Sequence, residues 1–303
     1  MTSDRQWEVL PSDAREALER LRLRPMLMAD GRVSGVHISS HMGQSLEFAE
    51  LKGYAFGDDP RGIDWKVLAR TDKVYVRRFH DETNMAAWLI LDASASMNQP
   101  MPDTKFRYGA SVLAALSYVL LRQRDEVGLV LAHSRHPEIC PVRSSPSHLG
   151  ELCQMLVDAR PSGPTVLRSA LETAAAGMAK RGLVVVASDM LTAEWEATVG
   201  ALGAIVARGG VAVLAHVLSV EELTFPFSGN LVFRSAETGE SALLDARGLR
   251  RQYLKAISDF KAAVAEACLK VGVIYKAIDT TQAAHNQAAG IIHAVDFRHF
   301  KEA

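Results

Sequence analysis

Cysteine is scarce in this 303-residue chain: Cys140, Cys153 and Cys268 are odd in number, widely spaced and without a C-x-x-C pair. That argues against a disulfide framework and a thiolate zinc site, and fits a reducing compartment. Long apolar runs are also missing. The strongest, SVLAALSYVLL at 111–121, is too short to span a bilayer, and the opening MTSDRQWEVL lacks the basic and apolar segments of a secretory signal. A cytoplasmic protein without membrane insertion is expected. Neither sign of charge dominates, since 34 Lys and Arg stand against 35 Asp and Glu for a net charge of −1, so no basic field attracts nucleic acid. The phosphate loop G-x-x-x-x-G-K-[ST], the Gly-rich dinucleotide fingerprint and the G-x-S-x-G elbow are absent, which removes the hallmarks of nucleotide-driven and serine-hydrolase chemistry.

What is present is a globular composition, 48% hydrophobic and 23% charged, with length for one large domain or two modest ones. Ala14, Leu18, Leu21 and Leu23 follow Ser12 and Asp13 at roughly helical spacing and predict a short amphipathic helix. Residues 31–82 turn to Gly, Ser and β-formers, giving an N-terminal helix and β-containing lobe over 1–83. Within it Asp58 or Asp59 as cap and Pro60 at the first helical position predict a short helix in RGIDWKVLAR. From 84 to 303, apolar runs alternate with helical patterns: WLILD, EVGLVLAH, GLVVVASD, GVAVLAHVL and VGVIYKAID. Near-continuous Val and Leu strands between amphipathic helices predict a doubly wound, mainly parallel α/β sheet flanked by helices. PEICPV reads as an extra strand, and 230–245 as a hairpin around Glu237–Glu240.

One strand, LILDASASM at 89–97, stops at Asp92 and is followed by Ser94 and Ser96. In an open parallel sheet, functional groups gather beyond the carboxyl ends of the strands. Three hard oxygen donors there suit Mg²⁺ or Mn²⁺ and not zinc. Two other segments offer further oxygens: Thr165 at the start of a helix, and Asp189, preceded by Ser188, at the end of GLVVVASD. A purely structural account stays open, in which Asp92 and Ser94 cap the following turn and Asp189 caps the helix at 193–207. The histidines add nothing comparable. His133 and His136 lack a completing ligand, and His37 and His41 would lie roughly 13 Å apart along a strand at about 3.3 Å per residue. No lysine or arginine stands at the loop to hold a phosphate unless Lys105 or Arg168 swings in.

The order Asp92-x-Ser94-x-Ser96, then Thr165, then Asp189 on a βαβ pattern resembles the metal-ion-dependent adhesion site of von Willebrand factor A domains. The resemblance implies Ser94, Ser96 and Thr165 as direct ligands of Mg²⁺ or Mn²⁺, with Asp92 and Asp189 as charged or water-mediated ligands. It also implies one coordination position open to an acidic side chain of a partner. A second signature precedes the sheet: Tyr54, Gly57, Asp58, Arg61, Ile63, Asp64, Trp65, Ala69 and Arg70, followed within 30 residues by D-x-S-x-S-M. Together with the ETGE hairpin, Arg251 and Tyr253, this resembles the bacterial and archaeal family called domain of unknown function 58.

That family implies a von Willebrand factor A-like sheet and action beside a MoxR-type AAA+ ATPase, as an adaptor or chaperone-like partner. Many of its members carry N-terminal membrane helices, a pattern this chain does not show. The expectation is a non-enzymatic, metal-dependent protein-binding module. The competing readings are a metal-dependent phosphoester hydrolase and a scaffold whose metal site is structural or empty. In the lobe, Asp58, Arg61, Asp64 and Arg70 are expected to form an internal ion-pair network.

Overall fold

The computed structural model describes residues 8–23, 47–55, 60, 63–80, 85–101, 104–133, 136–178, 182–234 and 241–301. The chain divides into two compact units, Met28–Asn84 and the remainder, Met1–Leu27 with Met85–Ala303. The first helix, α1 (Ser12–Leu18), therefore belongs with the large sheet rather than with the lobe over 1–83. The reason is its apolar stripe: Leu10, Ala14 and Leu18 are buried in the core cluster of the large unit.

In the smaller unit, β1 (Glu47–Gly53) pairs antiparallel with β2 (Tyr75–His80), and α2 (Trp65–Thr71) lies between them in sequence. The helix starts at Trp65 because the Asp64 carboxylate accepts from the Lys66 and Val67 amides, so the cap is Asp64 and not Asp58 or Asp59. Trp65 is 63% exposed. Asp58 and Arg61 of the expected ion-pair network lie outside the described residues, as do His37 and His41.

The larger unit is built on six strands: β3 (Ala86–Asp92), β4 (Glu126–Ala132), β5 (Glu138–Arg143), β6 (Gly182–Ser188), β7 (Val211–Leu218) and β10 (Ile274–Asp279). Their order is β10-β7-β6-β3-β4-β5, parallel throughout except for the antiparallel edge pair β4–β5. The chain winds one way from β3 through β4 to β5 and the other way from β6 through β7 to β10. The order therefore reverses between β3 and β6, the place where open α/β sheets form their crevice. β8 (Asn230–Arg234) and β9 (Ser241–Asp245) form the expected hairpin, whose turn lies outside the described residues.

Strands β3, β4, β6 and β7 read as continuous apolar runs because both faces are covered. Leu89, Leu91, Val185 and Ala187 pack with α3 (Lys105–Arg122), α4 (His148–Asp158) and α9 (Ala284–Lys301). Trp88, Ile90, Val184 and Val186 pack on the other face with α5 (Leu167–Gly177), α6 (Trp195–Ala207) and α8 (Ala246–Lys270). The alternation along each strand follows from the two-residue period of side-chain direction. Helix α3 sits close on the sheet at Gly109, where a Cβ would come within 3.0 Å of a Leu91 methyl. That approach fixes the first turn of α3 beside the end of β3. A short helix, α7 (Val220–Thr224), follows β7.

Candidate functional site

β3 and β6 are neighbours, so their carboxyl ends bring Asp92 beside Ser188 and Asp189. Asp92, Ser94, Ser188 and Asp189 are fully buried. Asp92 Oδ1 accepts from the Ser94 amide at 3.0 Å, which folds the loop back on the strand end. The Ser188 hydroxyl donates to Asp92 Oδ2 at 2.6 Å and accepts from the Met190 amide at 2.9 Å. Ser94 Oγ and Ser96 Oγ lie 3.0 Å apart, with Ser96 opening a single 3-10 turn to Asn98.

The loop carrying Thr165 is tied to this one by two backbone hydrogen bonds. Ser162 N–H donates to the Ala93 carbonyl at 2.9 Å, and Ala95 N–H donates to the Gly163 carbonyl at 2.8 Å. Gly163 reaches that position at φ +73, a left-handed conformation that favours glycine. The Thr165 hydroxyl is buried and has no hydrogen-bond partner among the described residues. A buried hydroxyl left so costs roughly 1–3 kcal/mol.

Asp189 is fully engaged. Its Oδ1 accepts from the Leu191 amide at 3.0 Å, and its Oδ2 accepts from Lys105 Nζ at 2.7 Å. Lys105 also donates to Glu222 Oε1 at 2.5 Å and is only 2% exposed. Glu222 Oε2 in turn accepts from the Ser219 amide in the capping box of α7. Beneath Asp189, His216 Nε2 donates to the Asp189 carbonyl at 3.0 Å, and its Nδ1 accepts from the Tyr275 hydroxyl at 2.9 Å.

The electrostatics follow from this packing. Burial, and then the Asp189 charge, push the Asp92 carboxyl up to about 6, partly offset by hydrogen bonds from Ser188 and Ser94. Burial lowers His216 to about 4, so the ring is neutral at pH 7 and can accept at Nδ1. For Lys105 burial disfavours the charge, but Asp189 and Glu222 outweigh it and raise its pKa above the ordinary value. Lys105 pairs with Asp189 and Glu222, so with Asp92 ionised the three carboxylates and one ammonium leave two negative charges, the complement of one divalent cation.

All five residues expected from the sequence thus lie on two loops and the ends of two adjacent strands. Direct contacts join Ser94 to Asp92 and to Ser96, while the backbone bonds of Ser162 and Ala95 bring in the Thr165 loop. Sequence reasoning left Lys105 outside the site and did not identify Glu222 or His216. A signal for Lys105 was present: it shares the apolar stripe of α3 with Gly109, Val112 and Leu113, where a charge needs a buried partner. The donor set fits an oxygen-preferring divalent ion, on the ground that Thr165 is orphaned and the carboxylates are undercompensated.

A groove of about 820 Å³ opens beside Thr165, lined by Arg168, Met190, Leu191, Trp195 and Phe260. Trp195 and Phe260 meet edge to face at 5.8 Å. A separate cluster, Cys140, His148 and Glu151, holds its ligand-type atoms within 4.8 Å of one another. His148 Nε2 donates to the Val127 carbonyl at 2.9 Å, where the β4–β5 register shifts, and its Nδ1 lies 3.1 Å from Glu151 Oε2. Arg143 also holds Glu151. These contacts give His148 a structural task at the bulge.

The Asp-Ser-Ser loop thus stands at the switch point of an open, mainly parallel α/β sheet covered by helices on both faces. Residues 50–263 match the family described as "Protein of unknown function DUF58", and the chain belongs to it. It is 28% identical over 229 residues to "Uncharacterized protein Rv1480" of Mycobacterium tuberculosis, covering 74% of this chain and 71% of that one. "Uncharacterized protein Mb1516" of Mycobacterium bovis matches to the same extent. Among solved structures, an aerotolerance-related membrane protein of Bacteroides fragilis is 15% identical with a TM-score of 0.47, covering 70% of this chain and 98% of that one. BatB of Bacteroides thetaiotaomicron is 17% identical with a TM-score of 0.46, covering 70% and 97%. The SpRpn10 VWA domain is 11% identical with a TM-score of 0.40, covering 67% and 93%. Among the described residues, no helix is long and apolar enough to cross a membrane.

Proposed function

We propose that this chain is a non-enzymatic, metal-dependent protein-binding module that works in the cytoplasm. Ser94, Ser96 and Thr165 would hold Mg²⁺ or Mn²⁺, with Asp92 and Asp189 as charged or water-mediated ligands. Such an ion, when bound, supplies one direction and a concentrated charge for a carboxylate from a partner. The observation that carries this reading is the Thr165 hydroxyl, buried without a partner among the described residues on a loop tied by two backbone hydrogen bonds to the Ser94 loop. A hydroxyl placed at that cost has a use when a cation takes its lone pair.

The surrounding chain supplies selectivity. Leu191, Trp195 and Phe260 offer apolar surface beside Thr165, on a groove that also carries Glu194 and Arg168, the latter paired with Glu172. A MoxR-type AAA+ ATPase, or a client presenting an acidic residue, is the partner that fits the family resemblance. Phosphoester hydrolysis is less well supported, because Lys105 is already held by two carboxylates and is not free to take a phosphate.

The test is retention of a purified MoxR-type ATPase on the immobilised full chain, wild type and Asp92→Asn, each in Mg²⁺ and in chelator. Retention by the wild type in Mg²⁺ alone supports the reading. Equal retention in all four conditions removes the metal from partner binding. Mg²⁺-dependent turnover of a phosphoester panel would replace the module with a hydrolase.

A further inference from the structure

We propose that Lys105 is a tethered rival of the divalent ion for Asp189: ion binding and the Lys105–Asp189 pair exclude one another, and Glu222 keeps the ammonium that Asp189 releases. The inference rests on the metal reading above and concerns how that same site is controlled.

Lys105 opens α3, whose first turn is fixed by the Thr104 cap and by close packing of the helix on β3. From there its side chain runs through buried space to a place 2.7 Å from Asp189 Oδ2 and 2.5 Å from Glu222 Oε1. The other Asp189 oxygen is taken by the Leu191 amide. A second cation drawing on Asp189 meets the ammonium at Oδ2, and like charges at such separation in a low-dielectric site repel strongly.

Glu222 makes release feasible. Its Oε2 is held by the Ser219 amide within the capping box of α7, so Oε1 stays aimed at Lys105 whether or not Asp189 is engaged. Lysine suits this task, being a compact charge on a flexible stem that can pivot between two acceptors without moving the backbone; a guanidinium fork would not. The plain alternative is that Lys105 is a fixed neutraliser of buried charge. In that case its effect on the ion adds to that of Asp189 and does not depend on it.

A double-mutant cycle on ion affinity separates the two. Mn²⁺ binding, read from the electron paramagnetic resonance signal of the free ion, is measured on the full chain as wild type, Lys105→Met, Asp189→Asn and the double variant. The rivalry predicts that Lys105→Met tightens binding about tenfold or more. It also predicts that Asp189→Asn weakens binding less than about threefold while Lys105 is present, and at least about tenfold once Lys105 is replaced. The same factor for Asp189→Asn in both backgrounds overturns the rivalry and leaves the metal reading standing. Absence of Mn²⁺ binding in every variant overturns both. If Lys105→Met fails to fold, the wild type still decides through its Lys105 ammonium resonance. On saturation with Mg²⁺ that signal should shift and exchange faster with water; an unchanged signal overturns the proposal.

Discussion

Two clusters in the large unit hold metal-ligating residue types, and they differ in how fully their atoms are partnered. At the edge pair β4–β5, both nitrogens of His148 are engaged, by Val127 and Glu151, and Glu151 is also held by Arg143. At the switch point of the sheet, Thr165 has a buried hydroxyl without a partner among the described residues, and two carboxylates, Asp189 and Glu222, share the Lys105 ammonium. Proximity of ligands is common to both, so proximity does not mark a site. An orphaned group set beside clustered oxygen ligands does; Trp88 Nε1 and Asp125 Oδ2 are also buried without a partner among the described residues, but they stand elsewhere, on β3 and just before β4.

The largest effect expected from this contrast is on the pH dependence of stability. The folded Asp92 carboxyl is raised from 3.8 to about 6. The ion-free native state therefore binds a proton there that the unfolded chain has already released, and stability falls as pH rises from about 4 to 6, by about 3 kcal/mol in total. Asp92→Asn should remove that loss, so urea midpoints of variant and wild type should diverge in the variant's favour between pH 4 and 7. Parallel profiles would mean that Asp92 is not held at cost.

Next comes His148→Ala, which frees the Val127 carbonyl and leaves a cavity in a packed region. It should lower stability by about 2–3 kcal/mol in urea unfolding without altering Mn²⁺ affinity. A changed affinity would make the edge cluster part of the metal chemistry and erase the contrast. Thr165→Val keeps the shape and removes the orphaned hydroxyl. The ion-free chain should gain about 1 kcal/mol while Mg²⁺ stabilises the variant less than the wild type. A loss of stability without ion would show that the hydroxyl has a partner after all. The smallest effect is expected from Cys140→Ala, about 1 kcal/mol or less in urea unfolding, with no change in ion binding.

The comparison also shows what a sequence exposes. The parallel strands are legible because β3, β4, β6 and β7 are covered on both faces, which writes each as an unbroken apolar run. The Asp-Ser-Ser loop is legible for the same reason, since polarity begins abruptly at Asp92. Helix α4 goes unread although its buried His148, Leu152 and Leu156 recur every fourth residue, the spacing of one helix face. So does α7, five residues announced only by the Ser219–Glu222 capping box. Helix α2 starts at Trp65 and not at Pro60, with the Asp64 carboxylate accepting from the Lys66 and Val67 amides as its cap.

Within the site, the strand-end residues could be read because each lies beside its own motif. The partners of Lys105 could not, because Asp189 is 84 residues away and Glu222 117 residues away in the chain. Only the order of strands brings them to one point. A charged residue on the buried stripe of α3 announces that a partner exists, without naming it.

The central claim is that the switch point of this sheet holds a divalent cation through Asp92. It is tested most directly by calorimetric titration of Mg²⁺ into the wild type and into Asp92→Asn at pH 7.5, with folding of both verified by circular dichroism. Saturable binding of one ion per chain by the wild type, lost in the variant, is the predicted result. Equal binding by both chains, or none by the folded wild type, would contradict it.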